Sequence, residues 1–586
     1  MCGIFGEVGS SEEVAPPLAG IAHRGPDDSG VWRGRGVLFG HCRLAIIDLE
    51  GGKQPWVEGE RALTYNGEIY NFRQLREELR REGVRFRSRS DTEVLFRMLE
   101  RYGEEAVGRL DGMFAFGFWD GRRLILARDR FGVKPLYWTR RGERLAFASE
   151  IKALLSLPWV PKRPNMETLK FHLTFLWAPY PDTAYEGIYK LPPGHILIWE
   201  DGKVRLRRYY DPLSDYGEGR VEPQEVLATL KDSVGRQMVA DVEVGLFLSG
   251  GIDSSAIAAL VPRPLRAFTL RFRREDLRRE IFASEERYAR AVAEAYGHEL
   301  VPVEVPFSAE TFSKVIWHLE EPIGDGAAIS NYLLSEGARR MGLKVALTGV
   351  GGDELWGGYP RYRALLLARR FPFLRFLPEL PFSSGRLGRL ARDLNKFKRA
   401  ASLPFPLRYL RWMGYYDLYG DVYERLLRVF PKVEDDLAAA MLFDISYFLP
   451  EHNLLYTDKT SMAHGLEVRV PFLSNDLLRL ALRTPSAEKV SLREGKIILK
   501  RALKGVLPDG ILRRRKAGFG APVKGWMSGP LRTLLEGIGE DPLIASLLPK
   551  GTVEEVLREN LHGRGFLYLQ AFQLLTLSVW RRVFSL

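Results

Sequence analysis

Cys2 follows the initiator Met1 and precedes Gly3. Met1 is easily removed before a small residue, and its removal leaves a cysteine with a free α-amine. Such an amine has a reference pKa of about 8, so it is partly neutral at physiological pH and can act as base for its own thiol. One residue then supplies both nucleophile and base. Acyl transfer through a thiolate also needs donors for an oxyanion, and TYNGEIYN (64–71) sets the Asn66 amide beside the Gly67 N–H. Recognition of an amino acid needs a cation for the α-carboxylate and an acid for the α-ammonium. Arg43 in HCRLAIID and Asp91 in SRSDTE are available for these tasks. Each feature also has a purely structural explanation: position 2 tolerates almost any residue, NG makes a hairpin turn, and Arg43 can be a strand-face charge.

A second chemistry is written in SGGIDSS (249–255), between the apolar run VGLFL (244–248) and the helical run SSAIAAL. Consecutive small residues expose backbone N–H groups, and the helix behind them adds its positive end, so the loop suits a di- or triphosphate. It lacks the GK[ST] ending of a Walker A loop, so simple γ-phosphate hydrolysis is not indicated. Asp253 inside it offers a carboxylate to magnesium. A second turn, TGVGGDELWGGYPRY (348–362), ends the strand-like KVALTGV at the same edge. There Thr348 and Gly349 can meet the nucleotide, and Asp353 can be a second magnesium ligand.

The elements that must position these groups change character along the chain. The first half reads as short strands: CGIFGEVG, VLFGHCRLAIIDL, RALTYNGEIYN, MFAFGFWD and RRLILARD. Two helices interrupt them, one over 71–83 with Asn71 as N-cap, the other over 92–103 with Asp91 ahead of it and Gly103 behind. This predicts an α+β layered domain over 1–210, with the polar segment 211–223 as linker. From 224 to 586 strands alternate with helices (strands at 244–248, 266–272, 300–305 and 344–350), which predicts an α/β parallel sheet with its ligand site at the strands' carboxyl ends. Beyond residue 360 the pattern is mainly helical.

Composition narrows the class. The 586 residues are 46% hydrophobic and 27% charged, which excludes disorder and disulfide scaffolds. The two cysteines, Cys2 and Cys42, build no disulfide framework, no Cys/His cluster has zinc spacing, and no long apolar run or leader-like start occurs. A soluble, cytoplasmic protein is expected. The net charge of +12 invites a nucleic-acid partner, but nearly all of it sits between Arg361 and Met413, where 13 Lys/Arg face 2 acids. A helical insertion with a solvated basic face explains it without nucleic acid or membrane.

Seven ordered stretches carry a family resemblance: MCGIFG, HRGPDDSG (23–30), RLAIID (43–48), NGEIYN (66–71), SDTE (90–93), LDGMFAF (110–116) and ARDRFGVKPLYW (127–138). They closely resemble class II glutamine amidotransferase domains of the N-terminal-nucleophile hydrolase fold, a layered αββα architecture. The resemblance implies hydrolysis of glutamine by Cys2 through a thioester. It places Asn66 and Gly67 at the oxyanion, and Arg43, Leu44, Ala45, Ile46, Ile47, Glu68 and Asp91 around glutamine. Cys42 matches no catalytic position.

SGGIDSS resembles the pyrophosphatase-type loop of adenylating enzymes. Together with TGVGGDE, YTDKTSMAHGLEVRVPFL (456–473), GKIILKRAL (495–503) and RRKAGFGAPVKGWM (514–527), it resembles the synthetase domain of glutamine-hydrolysing asparagine synthetases. That resemblance implies ATP held by Leu248, Ser249, Gly250, Gly251, Asp253, Ser254, Ser255, Leu270, Thr348 and Gly349. It also implies magnesium on Asp253 and Asp353, and Lys496 stabilising charge as the adenylate forms. A homodimer is the family expectation. Two departures keep the acceptor open: Val350 stands where better-known members carry Glu, and EEPIGDGAAISNYLL (320–334) lacks their Thr/Arg pattern. The expectation is glutamine-dependent, ATP-dependent conversion of aspartate to asparagine. Its alternative is the same chemistry on another carboxylate, such as a diaminopimelate-type, cell-wall or secondary-metabolite precursor. A basic nucleic-acid- or membrane-binding protein with vestigial sites is the rival from another class.

Overall fold

The computed structural model describes residues 2–9, 15–217, 219–273, 285–376, 394–416, 418–514, 520–561 and 567–586. The first half contains strands β1 (Cys2–Val8), β2 (Asp28–Gly34), β3 (Val37–Arg43), β4 (Trp56–Glu58), β5 (Arg61–Ile69), β6 (Gly112–Trp119), β7 (Leu124–Arg128), β8 (Tyr137–Arg141), β9 (Arg144–Ala148), β10 (Ile188–Lys190), β11 (His195–Glu200) and β12 (Lys203–Arg208). They form two six-stranded antiparallel sheets, ordered β10-β8-β9-β1-β3-β2 and β12-β11-β7-β6-β5-β4. The period of two along each strand decides the layers. In β1, Ile4 and Val8 face Ala115, Leu124 and Leu126 of the other sheet, whereas Phe5 faces outward onto Ile151 and Leu154 of helix α3 (Ile151–Leu155). In β5, Leu63 and Tyr65 face helices α1 (Phe72–Arg81) and α2 (Asp91–Tyr102). The result is the layered αββα arrangement.

Several sequence expectations shift at their edges. The strand expected over 37–49 stops at Arg43. Asn71 precedes α1, but its amide does not cap it; it bridges to the Arg109 carbonyl and the Asp111 N–H. Asp91 opens α2 rather than preceding it, and Ser90 is the cap, accepting from Thr92 N–H at 3.1 Å.

The second half has a five-stranded parallel sheet: β13 (Val244–Phe247), β14 (Arg266–Leu270), β15 (Glu299–Val303), β16 (Val345–Leu347) and β17 (Glu467–Arg469), in the order β15-β14-β13-β16-β17. The chain winds outward from β13 to β15 and then returns to the other side of β13. The loops after β13 and β16 therefore diverge at a topological switch point, where open sheets of this kind bind ligands. Strand β17 lies in a stretch the sequence pattern assigns to helix. Helices dominate the remainder, including Asp436–Phe443, Asn475–Arg483 and Tyr568–Phe584. No helix among the described residues is long and apolar enough to cross a membrane.

The basic stretch is helical over Pro360–Arg370 and Leu407–Met413, while residues 377–393 lie outside the described residues. Arg361 is not part of a solvated face. It stacks on Tyr359 and Phe448, 3.9 and 4.6 Å from their ring centres, and pairs with buried Asp444 at 2.7 Å.

The halves share cores. Leu44, Ile46 and Met113 of the first pack with Leu246, Leu248 and Leu347 of the parallel sheet. Between the halves lies a buried charge network. Arg24 bonds Glu150 at 2.9 Å and Asp458 at 2.7 Å, Lys134 reaches Asp458 at 3.1 Å, and Glu320 is shared by Lys152 and Lys459.

Candidate active sites

Cys2 begins β1, paired in register with Arg43 of β3, and is buried. Its backbone nitrogen donates to Asn66 Oδ1 at 2.9 Å, and its carbonyl accepts from Arg24 Nε at 3.2 Å. The first bond fixes the Asn66 amide so that Nδ2 faces away from the Cys2 nitrogen. That Nδ2 is buried and has no hydrogen-bond partner. A buried donor left open costs about 1–3 kcal/mol, so an amide already bonded to the Cys2 nitrogen is left calling for an acceptor. Burial pushes the Cys2 thiol up, while the Leu44 N–H and Arg43 pull it down. Gly67 has φ +154°, and a Cβ there would collide with the Met113 carbonyl oxygen across β6. Only glycine lets β5 and β6 approach this closely behind the thiol.

Asp91 and Glu68 lie behind the Asn66–Gly67 step, both buried. Asp91 Oδ2 accepts from the Tyr65 hydroxyl at 2.8 Å and the Ile69 N–H at 3.1 Å. Burial holds both carboxyls up, Glu68 most strongly because Glu467 and Asp91 stand close to it. Such carboxyls gain from an arriving ammonium. Arg43 has a different surrounding from the one its strand position suggests: its guanidinium folds onto the carbonyls of Asp48 and Leu49, both at 2.7 Å. It closes the 44–49 segment on itself. Because Leu44 and Ile46 send their side chains into the core shared with the parallel sheet, these two residues can offer a ligand only their backbone.

At the switch point, Ser249 and Ser254 hydroxyls stand 3.1 Å apart, and the Gly251 N–H donates to Ser249 Oγ at 3.3 Å, which tightens the loop into a cradle. The Ser255 hydroxyl is buried without a partner. Gly250 adopts φ +67°, and a Cβ there would strike the backbone of the helix Glu286–Tyr296 at Ala289 N, 2.6 Å away. Leu248 follows β13 and Leu270 ends the neighbouring β14, the first buried and the second partly open. Thr348 and Gly349 follow β16 directly, and a Cβ at Gly349 would lie 2.7 Å from Asp253 Cβ, so the two loops touch.

Asp253 and Asp353 converge from these loops. Lys496 Nζ lies 2.5 Å from Asp253 Oδ2 and 2.6 Å from Asp353 Oδ1. Two carboxylates within reach of one nitrogen form an all-oxygen donor pair of the kind magnesium takes, with the ammonium standing in their midst. The two acids raise the Lys496 pKa against its burial. Lys496 itself is in the left-handed conformation, φ 58°, at the start of the helix Ile497–Ala502.

Some site residues carried no signal of their own. Arg514 donates to the Ser249 carbonyl at 3.1 Å and stacks on Tyr288, putting a cation at the phosphate loop. Asn453 leaves a π-helical segment, Asp444–Leu454, to donate to Glu354 at 2.7 Å beside Asp353. The motif stretches at 456–473 and 514–527 mark their surroundings, but only the folded chain pairs them.

Comparison with known proteins agrees with this geometry. The family described as glutamine amidotransferase domain matches residues 1–210, and that described as asparagine synthase matches residues 225–582. Over its full length the chain is 31% identical to the glutamine-hydrolyzing asparagine synthetase 1 of Bacillus subtilis (strain 168), covering 97% of it. It is 32% identical over its full length to a putative glutamine-hydrolyzing asparagine synthetase of Mycobacterium tuberculosis (strain H37Rv), again covering 97%. Over 96% of its length it is 29% identical to amidase chry2 of Gibberella zeae, covering 90%. The chain therefore belongs to the asparagine synthase family, and is a glutamine-dependent ligase that joins an amidotransferase half to an ATP-dependent amidating half.

Proposed function

We propose that this chain converts aspartate to asparagine, with residues 1–210 as glutaminase and 224–586 as synthetase. Once Met1 is removed, the Cys2 nitrogen that bonds Asn66 is the α-amine, and it takes the thiol proton. Sγ attacks the glutamine side-chain carbonyl, and Asn66 Nδ2 and the Gly67 N–H receive the oxyanion. Ammonia leaves, and water releases glutamate from the thioester. The backbone of 44–47 and Arg43 face the substrate's carboxylate end, and Glu68 and Asp91 its ammonium. In the second half an aspartate β-carboxylate oxygen attacks the α-phosphorus of ATP and pyrophosphate departs. Ammonia then displaces AMP. Asp253 and Asp353 would hold magnesium, which neutralises phosphate charge. Lys496, buried beside them, acts as a fixed point charge on the phosphorus centre.

The observation that carries this reading is the convergence of Asp253, Asp353 and Lys496 on one point, in a chain whose other half leaves Nδ2 of Asn66, the residue bonded to the Cys2 nitrogen, buried and unpaired. The test is pyrophosphate release with ATP, glutamine and aspartate, with asparagine detected by mass. Asparagine from the parent with glutamine, and from Cys2→Ala only with ammonium, is expected. Glutaminase activity without aspartate-dependent pyrophosphate would move the acceptor to another carboxylate.

A further inference from the structure

A short run of buried contacts joins the two sites, and neither half-reaction uses it. Arg469, the last residue of β17, is fully buried. Its Nε donates to Glu467 at 2.5 Å, and its Nη1 to the Gln237 and Val239 carbonyls, both at 2.7 Å. Its Nη2 makes no hydrogen bond and lies 3.5 Å from Glu68 Oε1. The Arg469 carbonyl accepts from the Thr348 N–H at 2.9 Å, at the start of the nucleotide turn. One residue, through its guanidinium on one side and its backbone carbonyl on the other, therefore separates the residue after Gly67 from the residue before Gly349. A second strut runs beside it. Asp241, three residues before β13, donates its N–H to the Ile46 carbonyl at 2.9 Å and accepts the Asp48 N–H at 2.8 Å. The 237–241 segment is thus gripped by Arg469 on one side and by the glutamine loop on the other.

We propose that Arg469 is a positioning residue that couples occupancy of the glutamine pocket to the nucleotide turn, with Asp241 as its second strut. This rests on Glu68 facing the ammonium of glutamine, as proposed above. The charged groups facing Glu68 are Glu467, Asp91 and Arg469. Burial and the two acids favour its neutral form when the pocket is empty; an ammonium favours the carboxylate. A carboxylate at 3.5 Å from an uncommitted N–H draws it in. Arg469 cannot follow without pulling on its other partners, because its remaining donors and its carbonyl are bonded to Glu467, 237–239 and Thr348. Coupling of this kind is reciprocal, so nucleotide tightens glutamine by the factor by which glutamine tightens nucleotide.

The test uses the full chain carrying Cys2→Ala, which keeps the pocket without cleavage. Glutamine affinity is measured by calorimetry with and without ATP and magnesium, in this background and with Arg469→Lys or Glu68→Gln added. ATP is expected to tighten glutamine about fivefold or more, within the usual range of such couplings. Arg469→Lys should reduce that factor below about twofold while ATP bound alone keeps its affinity, a split that simple loss of structure does not produce. If Arg469→Lys does not fold, Glu68→Gln, equal in size and unable to ionise, must also lose the mutual effect. Both ligands binding without influence on each other would overturn the coupling alone, as would an undiminished effect in a folded variant. Failure of either ligand to bind the Cys2→Ala protein without a second substitution would overturn the underlying enzymatic reading with it.

Discussion

Truncating Asn66 to Ala removes one donor that the resting protein does not use. Asn66 Oδ1 is occupied by the Cys2 nitrogen at 2.9 Å, whereas Nδ2 is buried and open. The empty site bears the cost of that open donor, and the cost is recovered only when negative charge appears opposite it. An interaction made in the transition state and not before raises kcat rather than substrate affinity. Loss of one oxyanion donor typically costs about 2.7–4 kcal/mol, or roughly 100- to 1,000-fold in kcat. Asn66→Ala should therefore lower glutamate release by that factor, with KM for glutamine changed little. Pyrophosphate release driven by ammonium should stay at the parent rate, because Asn66 pairs with Cys2 and Ala115, both in the amidotransferase half. The assay runs both reactions on one preparation. A glutaminase kcat within tenfold of the parent would refute the oxyanion role, and an equal loss in the ammonium reaction would show that the substitution damages the fold instead.

Four further outcomes follow from the same geometry. Gly67→Ala, which drives a Cβ into the Met113 carbonyl at φ +154°, should part β5 from β6, abolish glutaminase activity and lower the melting temperature by calorimetry. Lys496→Met should lower pyrophosphate release by about a thousandfold while glutamate release persists, since a desolvated charge at a developing anion contributes several kcal/mol. Arg24→Met takes one cation from each of the buried Glu150 and Asp458 carboxylates, which keep Lys152 and Lys134, and should cost less than the roughly 3–5 kcal/mol of a fully stranded buried charge, read as a lower denaturant midpoint. Burial lowers the Lys489 pKa to about 7 against weak help from Asp435. Below that pH the fold carries the full penalty of a buried ammonium; between there and the ordinary lysine range only the unfolded chain holds the proton, so stability climbs with pH. Lys489→Met should accordingly stabilise the protein, by about 3 kcal/mol more at pH 6.5 than at pH 9.5 in denaturant titrations.

What the sequence makes legible is chemistry whose signal is local. Cys2, the Asn66–Gly67 step and the SGGIDSS loop announce themselves by residue type next to an element boundary, and the structure brings Cys2 to Asn66 and Asp253 to Asp353 and Lys496. Partners distant along the chain leave no such trace. Arg469 stands in VRV, within a stretch whose pattern reads as mainly helical; its strand position and its burial make sense only beside Glu68 and Glu467. Arg361 belongs to a stretch whose composition spells a solvated face, yet three tyrosines, a phenylalanine and Asp444 enclose it. Boundaries fail for a related reason. The run 37–49 keeps its apolar character past Arg43, but from Leu44 onward those side chains serve a core that belongs to the other half of the chain.

That last point bears on how the two chemistries are held together. An amidotransferase half that built its glutamine loop from its own core would need nothing from its neighbour. Here the loop's backbone faces Cys2 while Leu44 and Ile46 pack with Leu246, Leu248 and Leu347, the residues that aim the nucleotide loops. The buried charges repeat the pattern: Arg24 bonds the Cys2 carbonyl with one nitrogen and reaches Asp458 of the second half with another. Apolar packing alone tolerates sliding, because it has no preferred direction. Buried bonds to charged groups do not, since each displaced donor leaves a partner unsatisfied in a medium that penalises it. The apolar contacts thus supply most of the adhesion between the halves, and Arg24, Asp241 and Arg469 supply its register.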